Sequence, residues 1–130
     1  MTEQVYQEVL KGKDKLYEDA FVIEALVTQK MIHKVKVQLP EEVQGLGCGE
    51  RSAFKLLKDM KVDAIITDDQ RFIRYLDKEG VEFITPTDVI VTMTLKRMIH
   101  RTIGDHALES LKPFIKKENY QLAKEFIGGY

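Results

Sequence analysis

In the stretch IITDDQRF, residues 65 to 72, a run of β-branched apolar residues ends on two successive aspartates, Asp68 and Asp69. Two roles fit this position. One short acidic side chain at a strand-to-helix turn can accept a hydrogen bond from a free helix N–H and so start the helix. A second carboxylate beside it adds like-charge repulsion unless a cation or a basic side chain compensates, which favours a site that holds something positive. Glu50 is a third acid in a constrained place. It precedes Ala53, Phe54 and Leu57 by three, four and seven positions and so lies along the stripe expected to face a sheet. Its simpler role is a favourable interaction with the positive end of its own helix. Glu8 falls between Val5 and Val9, and by spacing alone it reads as a surface residue.

Clustered carboxylates offer the hard oxygen donors that Mg²⁺ and Mn²⁺ take. Ions held that way activate water and neutralise the charge that builds on a phosphodiester oxygen during in-line attack. Other chemistries find less support. No Ser-His-Asp or Cys-His set is visible, and His33, His100 and His106 share no spacing. GLGCGE carries Gly45, Gly47 and Gly49, but it follows a polar loop and lacks the last glycine of a dinucleotide fingerprint. Gly47 and Gly49 are expected to let the helix of Glu50 start tightly, with Cys48 a small, partly buried thiol. LKRMIHR contributes Lys96, Arg97, His100 and Arg101, and Lys112, Lys116 and Lys117 follow on a later segment. Such runs are either solvated helix faces or phosphate contacts.

The elements that must position these residues follow from periodicity. Val5, Val9 and Leu10 predict a short helix starting at or before Met1 and closed by Gly12. From Asp14 to about Met31, Leu16, Ala20, Ile23, Val27 and Met31 recur at helical spacing and predict one buried face. HKVKVQL alternates as a half-wet strand, and PEEVQGLGCG reads as a loop. A helix is expected from Glu50 to about Met60, with Ala53, Phe54, Leu57 and Met60 on one face. The strand VDAIIT then leads to the aspartates. A helix over 70–79 with Phe72, Ile73 and Leu76 inward, the strand VEFIT, and a helix from Thr85 to about Met98 come next. Thr85, Pro86 and Asp88 form the capping signature of that last helix. Two more helices, near 104–117 and 118–127, complete an α/β pattern with a parallel sheet.

Composition sets the frame. The 130 residues suit a single domain over 1–130, with no repeat, linker or low-complexity segment. With 44% hydrophobic and 32% charged residues the chain reads as an ordinary soluble protein, and no apolar run approaches the roughly 18 residues of a membrane span. A polar opening without a signal peptide and a lone Cys48 suggest the cytoplasm. A net charge of −1 gives no global attraction for nucleic acid, so such binding needs a local patch.

Taken in order, VYQEVLKG, LGCGERSAFKLL, DAIITDDQRF and EFITPTDVIVTMTLKRMI resemble the PIN-domain family, in particular its small prokaryotic toxin-like nucleases. The likeness spans nearly the whole chain, including ALESLKPFIKKENYQLAKEF. It implies a three-layer α/β/α sandwich and a Mg²⁺- or Mn²⁺-dependent hydrolase that cleaves single-stranded RNA through an acidic cluster and metal-activated water. Carried over, it places Glu8, Glu50 and Asp68 as metal ligands, with Asp69 a fourth or accessory acid. Lys96, Arg97 and Arg101 are then candidate RNA contacts, and an antitoxin-like protein or a second copy of the chain are candidate partners. The family opens with an apolar strand that ends in an aspartate and runs through the middle of the sheet. This sequence begins at MTEQVY, inside that pattern, so the resemblance implies an N-terminally truncated sheet short of one ligand. The chain is then a fragment of a longer nuclease, or another subunit or swapped element fills the gap, or the strands pair in an altered order and the protein is a non-catalytic binding or assembly module.

Overall fold

The structure, a computed structural model, describes residues 1–129 and divides into two compact units, the first ending at Ile65 and the second beginning at Ile66. The first unit holds helices α1 (Glu3–Lys11), α2 (Glu18–Thr28) and α3 (Cys48–Asp59), with α1 packed on both of the others. Helix α1 does not run through Met1. Thr2 is its N-cap, with the Thr2 hydroxyl accepting from Val5 N, and Met1–Thr2 instead bridges Val35 in parallel. Glu3 N donates to Val35 O at 2.9 Å and Val35 N to Met1 O at 3.0 Å. That bridge is all that forms of the expected strand HKVKVQL, because the chain turns into α1 directly after Thr2 and leaves residues 36–39 no backbone ladder to join. Gln4 takes over there, donating its side-chain amide to Val37 O.

Helix α2 is shorter than its periodicity predicts. A 3-10 turn over Lys13–Lys15 closes on Leu16 in the left-handed conformation, and Lys30 does the same after the helix ends. Leu16 and Met31 therefore leave the expected buried face and are 78% and 69% exposed, while Ala20 stays buried. In α3 the buried residues are Gly49, Arg51 and Ser52 rather than the Ala53, Phe54, Leu57 and Met60 stripe, of which Met60 is exposed. The Thr2 and Ser52 hydroxyls meet at 2.7 Å, and Ser52 donates to Gly49 O at 2.7 Å. This buried chain of hydroxyls ties the first residues of α1 to the first turn of α3.

At the junction, β1 (Ile65–Ile66) pairs in a short parallel two-stranded sheet with β2 (Phe83–Ile84), and Thr67 N donates to Ile84 O at 3.0 Å. The second unit continues with α4 (Gln70–Lys78), α5 (Pro86–Leu95), α6 (Arg101–Leu111) and α7 (Lys117–Gly128). Phe72 and Leu76 of α4 are buried as their spacing predicts, and Gly80, at φ +67°, turns the chain after the helix. Leu108, Ala123 and Ile127, with Ile90, Val91 and Tyr120 against them, form the core where α5, α6 and α7 pack. The Thr85 capping box with Asp88 starts α5, which ends at Leu95 rather than Met98 because Arg97 adopts φ +57°. The expected α/β class and its parallel pairing are present. Among the described residues no helix is long and apolar enough to cross a membrane.

Candidate functional site

Two of the four acids meet at one helix end. The first turn of an α-helix leaves backbone N–H groups without intrahelical partners and carries partial positive charge. Helix α3 has Gly47 as its N-cap, a residue with no side chain to satisfy those donors. Carboxylates supply what the glycine lacks. Glu50, the third helical residue, reaches back so that its Oε2 accepts from Gly47 N at 2.6 Å, the acidic half of a capping box. Glu8, from α1, accepts from Gly49 N through Oε1 at 3.1 Å. Glu8 is exposed by area, as its sequence position suggests, yet its carboxylate is held 41 positions along the chain.

Gly49 makes that approach possible. A methyl group there would stand 2.6 Å from Oε2 and 2.9 Å from Oε1 of Glu8, closer than any real contact, so the residue at this position must lack a Cβ for the carboxylate to sit on the backbone. Sequence reasoning assigns Gly49 to a tight helix start. The helix in fact starts at Cys48, and the role of Gly49 is to admit a side chain from another helix. Only the pattern of glycine one residue before an acid hints at this. Cys48, expected partly buried, is exposed because the first helical residue points away from the packed face, and its Sγ lies 3.4 Å from the Arg51 guanidinium.

The other two acids lie in the second unit, at the turn from β1 into α4. Asp69 is the N-cap of α4 and its Oδ1 accepts from both Arg71 N and Phe72 N at 2.9 Å. Asp68 is half-buried and only its backbone carbonyl is engaged, by Gln70 Nε2 at 3.3 Å. The two roles weighed for this pair are therefore divided between its members: Asp69 caps, and the Asp68 carboxylate makes no hydrogen bond among the described residues. Of the candidate RNA contacts, Lys96, Arg97 and Arg101 are all exposed. Arg97 and Arg101 line a groove of about 680 Å³ with Ile99 and His100, and Arg101 also donates to Gly128 O at 3.3 Å.

The donor chemistry of these acids suits a hard divalent ion. All four are carboxylates, and among the described residues Oε2 of Glu8, Oε1 of Glu50 and both oxygens of Asp68 carry no hydrogen bond. No group of three or more His, Cys, Asp or Glu among the described residues is gathered closely enough to hold an ion. Each unit thus offers one pair: Glu8 with Glu50 on the start of α3, and Asp68 with Asp69 before α4.

A family model described as a PIN domain matches residues 1–127. No curated protein and no solved structure matches the chain.

Proposed function

The chain belongs to the PIN-domain family, whose α/β fold it has, and from that premise we propose that it is a metal-dependent ribonuclease of single-stranded RNA. PIN domains carry a nuclease-type fold and generally use divalent metal ions. Glu8 and Glu50 in the first unit, and Asp68 and Asp69 in the second, are the residues that would hold such ions in this protein, Mg²⁺ or Mn²⁺ by their donor chemistry. When bound, the ion supplies Lewis acidity at a phosphodiester oxygen and activates water for attack.

The observation that carries the reading is the convergence of Glu8 and Glu50 on the first turn of α3, with Gly49 fitted to admit the first of them. A helix could be capped more simply by one serine or aspartate at position 47. Two carboxylates brought from separate helices to one turn, each keeping an oxygen free of hydrogen bonds among the described residues, exceed what capping requires. The backbone N–H groups orient these side chains, which is how supporting contacts prepare carboxylates for a cation. In the second unit, Asp68 is an acid with no capping duty among the described residues.

A second reading has its own observation. Leu95, Leu122 and Phe126 are large, exposed and apolar and line one groove of about 320 Å³ in the second unit. That surface suits a binding or assembly module with an antitoxin-like protein or a second copy as partner.

Cleavage of an unstructured RNA in Mn²⁺ tests the first reading. Wild type is expected to cut, and Glu50→Gln and Asp68→Asn are each expected to lose at least a hundredfold in rate while remaining folded by circular dichroism. Saturable Mn²⁺ binding in calorimetry should weaken in both variants. Activity that survives Asp68→Asn, or no saturable Mn²⁺ binding in wild type, overturns the reading.

A further inference from the structure

The Asp68–Asp69 turn forms one wall of a groove of about 660 Å³ lying wholly in the second unit. That volume is in the range of roughly 300–1,000 Å³ typical of small-ligand sites. Its other walls are of a different character. Arg71 and Arg74, three positions apart, project from one face of α4 and both are exposed. Among the described residues neither forms an ion pair, although two carboxylates line the same groove. Opposite them, the 3-10 turn Lys112–Phe114 presents Phe114, which is 78% exposed, on a backbone stiffened by Pro113. Lys116 follows, its ammonium donating to Gln70 Oε1 at 2.7 Å and thereby linking the two walls.

An aromatic ring held in water at the mouth of a groove, with unpaired guanidinium groups beside it, has no role in folding that its surroundings explain. Burying Phe114 against its own unit would stabilise the protein, and pairing the arginines with the adjacent acids would neutralise both. The combination of a stacking face with a short row of cations is what single-stranded nucleic acid binds: the ring accepts a base, and the cations accept the flanking phosphates.

We propose that this groove binds a segment of single-stranded RNA, with one base stacked on Phe114 and the adjoining phosphates on Arg71, Arg74 and Lys116. The strand then runs past Asp68, so the groove presents a phosphodiester to the acid that has no capping duty. The inference rests on the ribonuclease reading and names the surface by which the substrate is held. It differs from the reading of Lys96, Arg97 and Arg101, of which Arg97 and Arg101 line another groove whose lining holds no Phe or Tyr.

The test separates binding from cleavage. A fluorescein-labelled decauridine is titrated with the full chain in EDTA and in Ca²⁺, and anisotropy is read at several salt concentrations. Cleavage of the same oligonucleotide in Mn²⁺ is measured alongside. Phe114→Ala is expected to weaken binding roughly tenfold, as loss of one stacked base does, with the salt dependence of affinity unchanged. Arg71→Ala/Arg74→Ala is expected to weaken binding and also to reduce the slope of log affinity against log salt by about 1.4, the value for two phosphate contacts on a single strand. A merely structural role for these residues would not separate the two signatures. All three positions are exposed, and unchanged melting temperatures would show that folding is intact. If wild type binds and cleaves while these variants bind as wild type does, the groove inference is overturned and the ribonuclease reading stands. If the variants bind weakly as expected but wild type never cleaves, the groove stands as an RNA-binding surface and the ribonuclease reading fails. Absence of binding by wild type in both EDTA and Ca²⁺ overturns the groove inference.

Discussion

Helices α3 and α4 begin with the same physical problem and solve it differently. Each must satisfy free N–H groups at a positively polarised end. At α4 the solution is local: Asp69 accepts from Arg71 N and Phe72 N, and the geometry is complete within four residues. At α3 the N-cap is glycine, and the acceptors come from Glu50 one turn later and from Glu8 on another helix. A local cap can form whenever its helix forms. The Glu50 half is as local as the α4 cap, but the Glu8 half exists only when α1 is packed in place, so it couples the position of that carboxylate to the tertiary structure. The difference teaches that an acid at a helix end is uninformative by itself. What distinguishes a candidate ligand is the effort by which the fold delivers it.

The sharpest way to break this contrast is at α4, where two acids sit side by side with unequal duties. Asp69→Ala removes the acceptor of two charge-assisted hydrogen bonds and is expected to destabilise the protein by about 1–2 kcal/mol. Asp68→Ala removes no hydrogen bond among the described residues and should change stability by no more than about 0.5 kcal/mol. Chemical denaturation of both variants checks the pair. Equal costs would mean that the two acids share the capping role and that Asp68 is not set aside for another purpose.

The contrast also explains what the sequence discloses. Local features are legible: the Thr85-Pro86-Asp88 start of α5, the inward Phe72 and Leu76, and Gly80 after α4 all depend on residues a few positions apart. Where helices end on a left-handed residue that is not glycine, the signal vanishes. Leu16, Lys30 and Arg97 each adopt positive φ, a conformation that costs a non-glycine residue about 1–2 kcal/mol and that nothing in its local sequence announces. The strand expected at 33–39 fails for a related reason, since alternation describes a face but cannot supply the neighbouring strand. Among the acids, Asp69 as a cap was readable from the turn. The grip of Gly49 on Glu8 was not, because its partners are 41 positions apart and nothing local marks the contact. The groove of Arg71, Arg74 and Phe114 was hidden in the same way, its two walls coming from segments some forty residues apart.

A smaller effect sharpens the α3 side. Glu8→Ala leaves the Gly49 N–H without its carboxylate and should cost about 1 kcal/mol. Gly49→Ala displaces the same carboxylate by steric contact, but alanine recovers about 0.5–1 kcal/mol of helix propensity, so its net cost should be near zero. Because both substitutions remove one shared bond, the double variant should be more stable than the sum of the single costs predicts. A double-mutant cycle by urea denaturation measures this directly. Strict additivity would show that the bond contributes nothing and that Gly49 is glycine for another reason.

The smallest expected effect lies away from both helix ends and serves as a reference for carboxylates that act only as surface partners. Glu109 of α6 accepts from the Tyr120 hydroxyl of α7 and from the Lys124 ammonium. The Tyr120 hydrogen bond first, and then the one from Lys124, hold the Glu109 carboxyl below its ordinary value. A carboxyl with a lowered pKa in the folded state contributes stability above its unfolded pKa, near 4.3, and loses that contribution as pH falls through the folded value. Glu109→Gln keeps an acceptor but removes the charge. Wild type should therefore melt slightly higher than the variant at pH 7, and the two curves should converge at the acid end, once pH has fallen below the lowered folded value. The effect is small because the pair is exposed and screened by solvent. A difference that persists unchanged into acid would place the contribution in packing of Glu109 against Tyr120. Charge would then matter in this fold only where a helix end concentrates it.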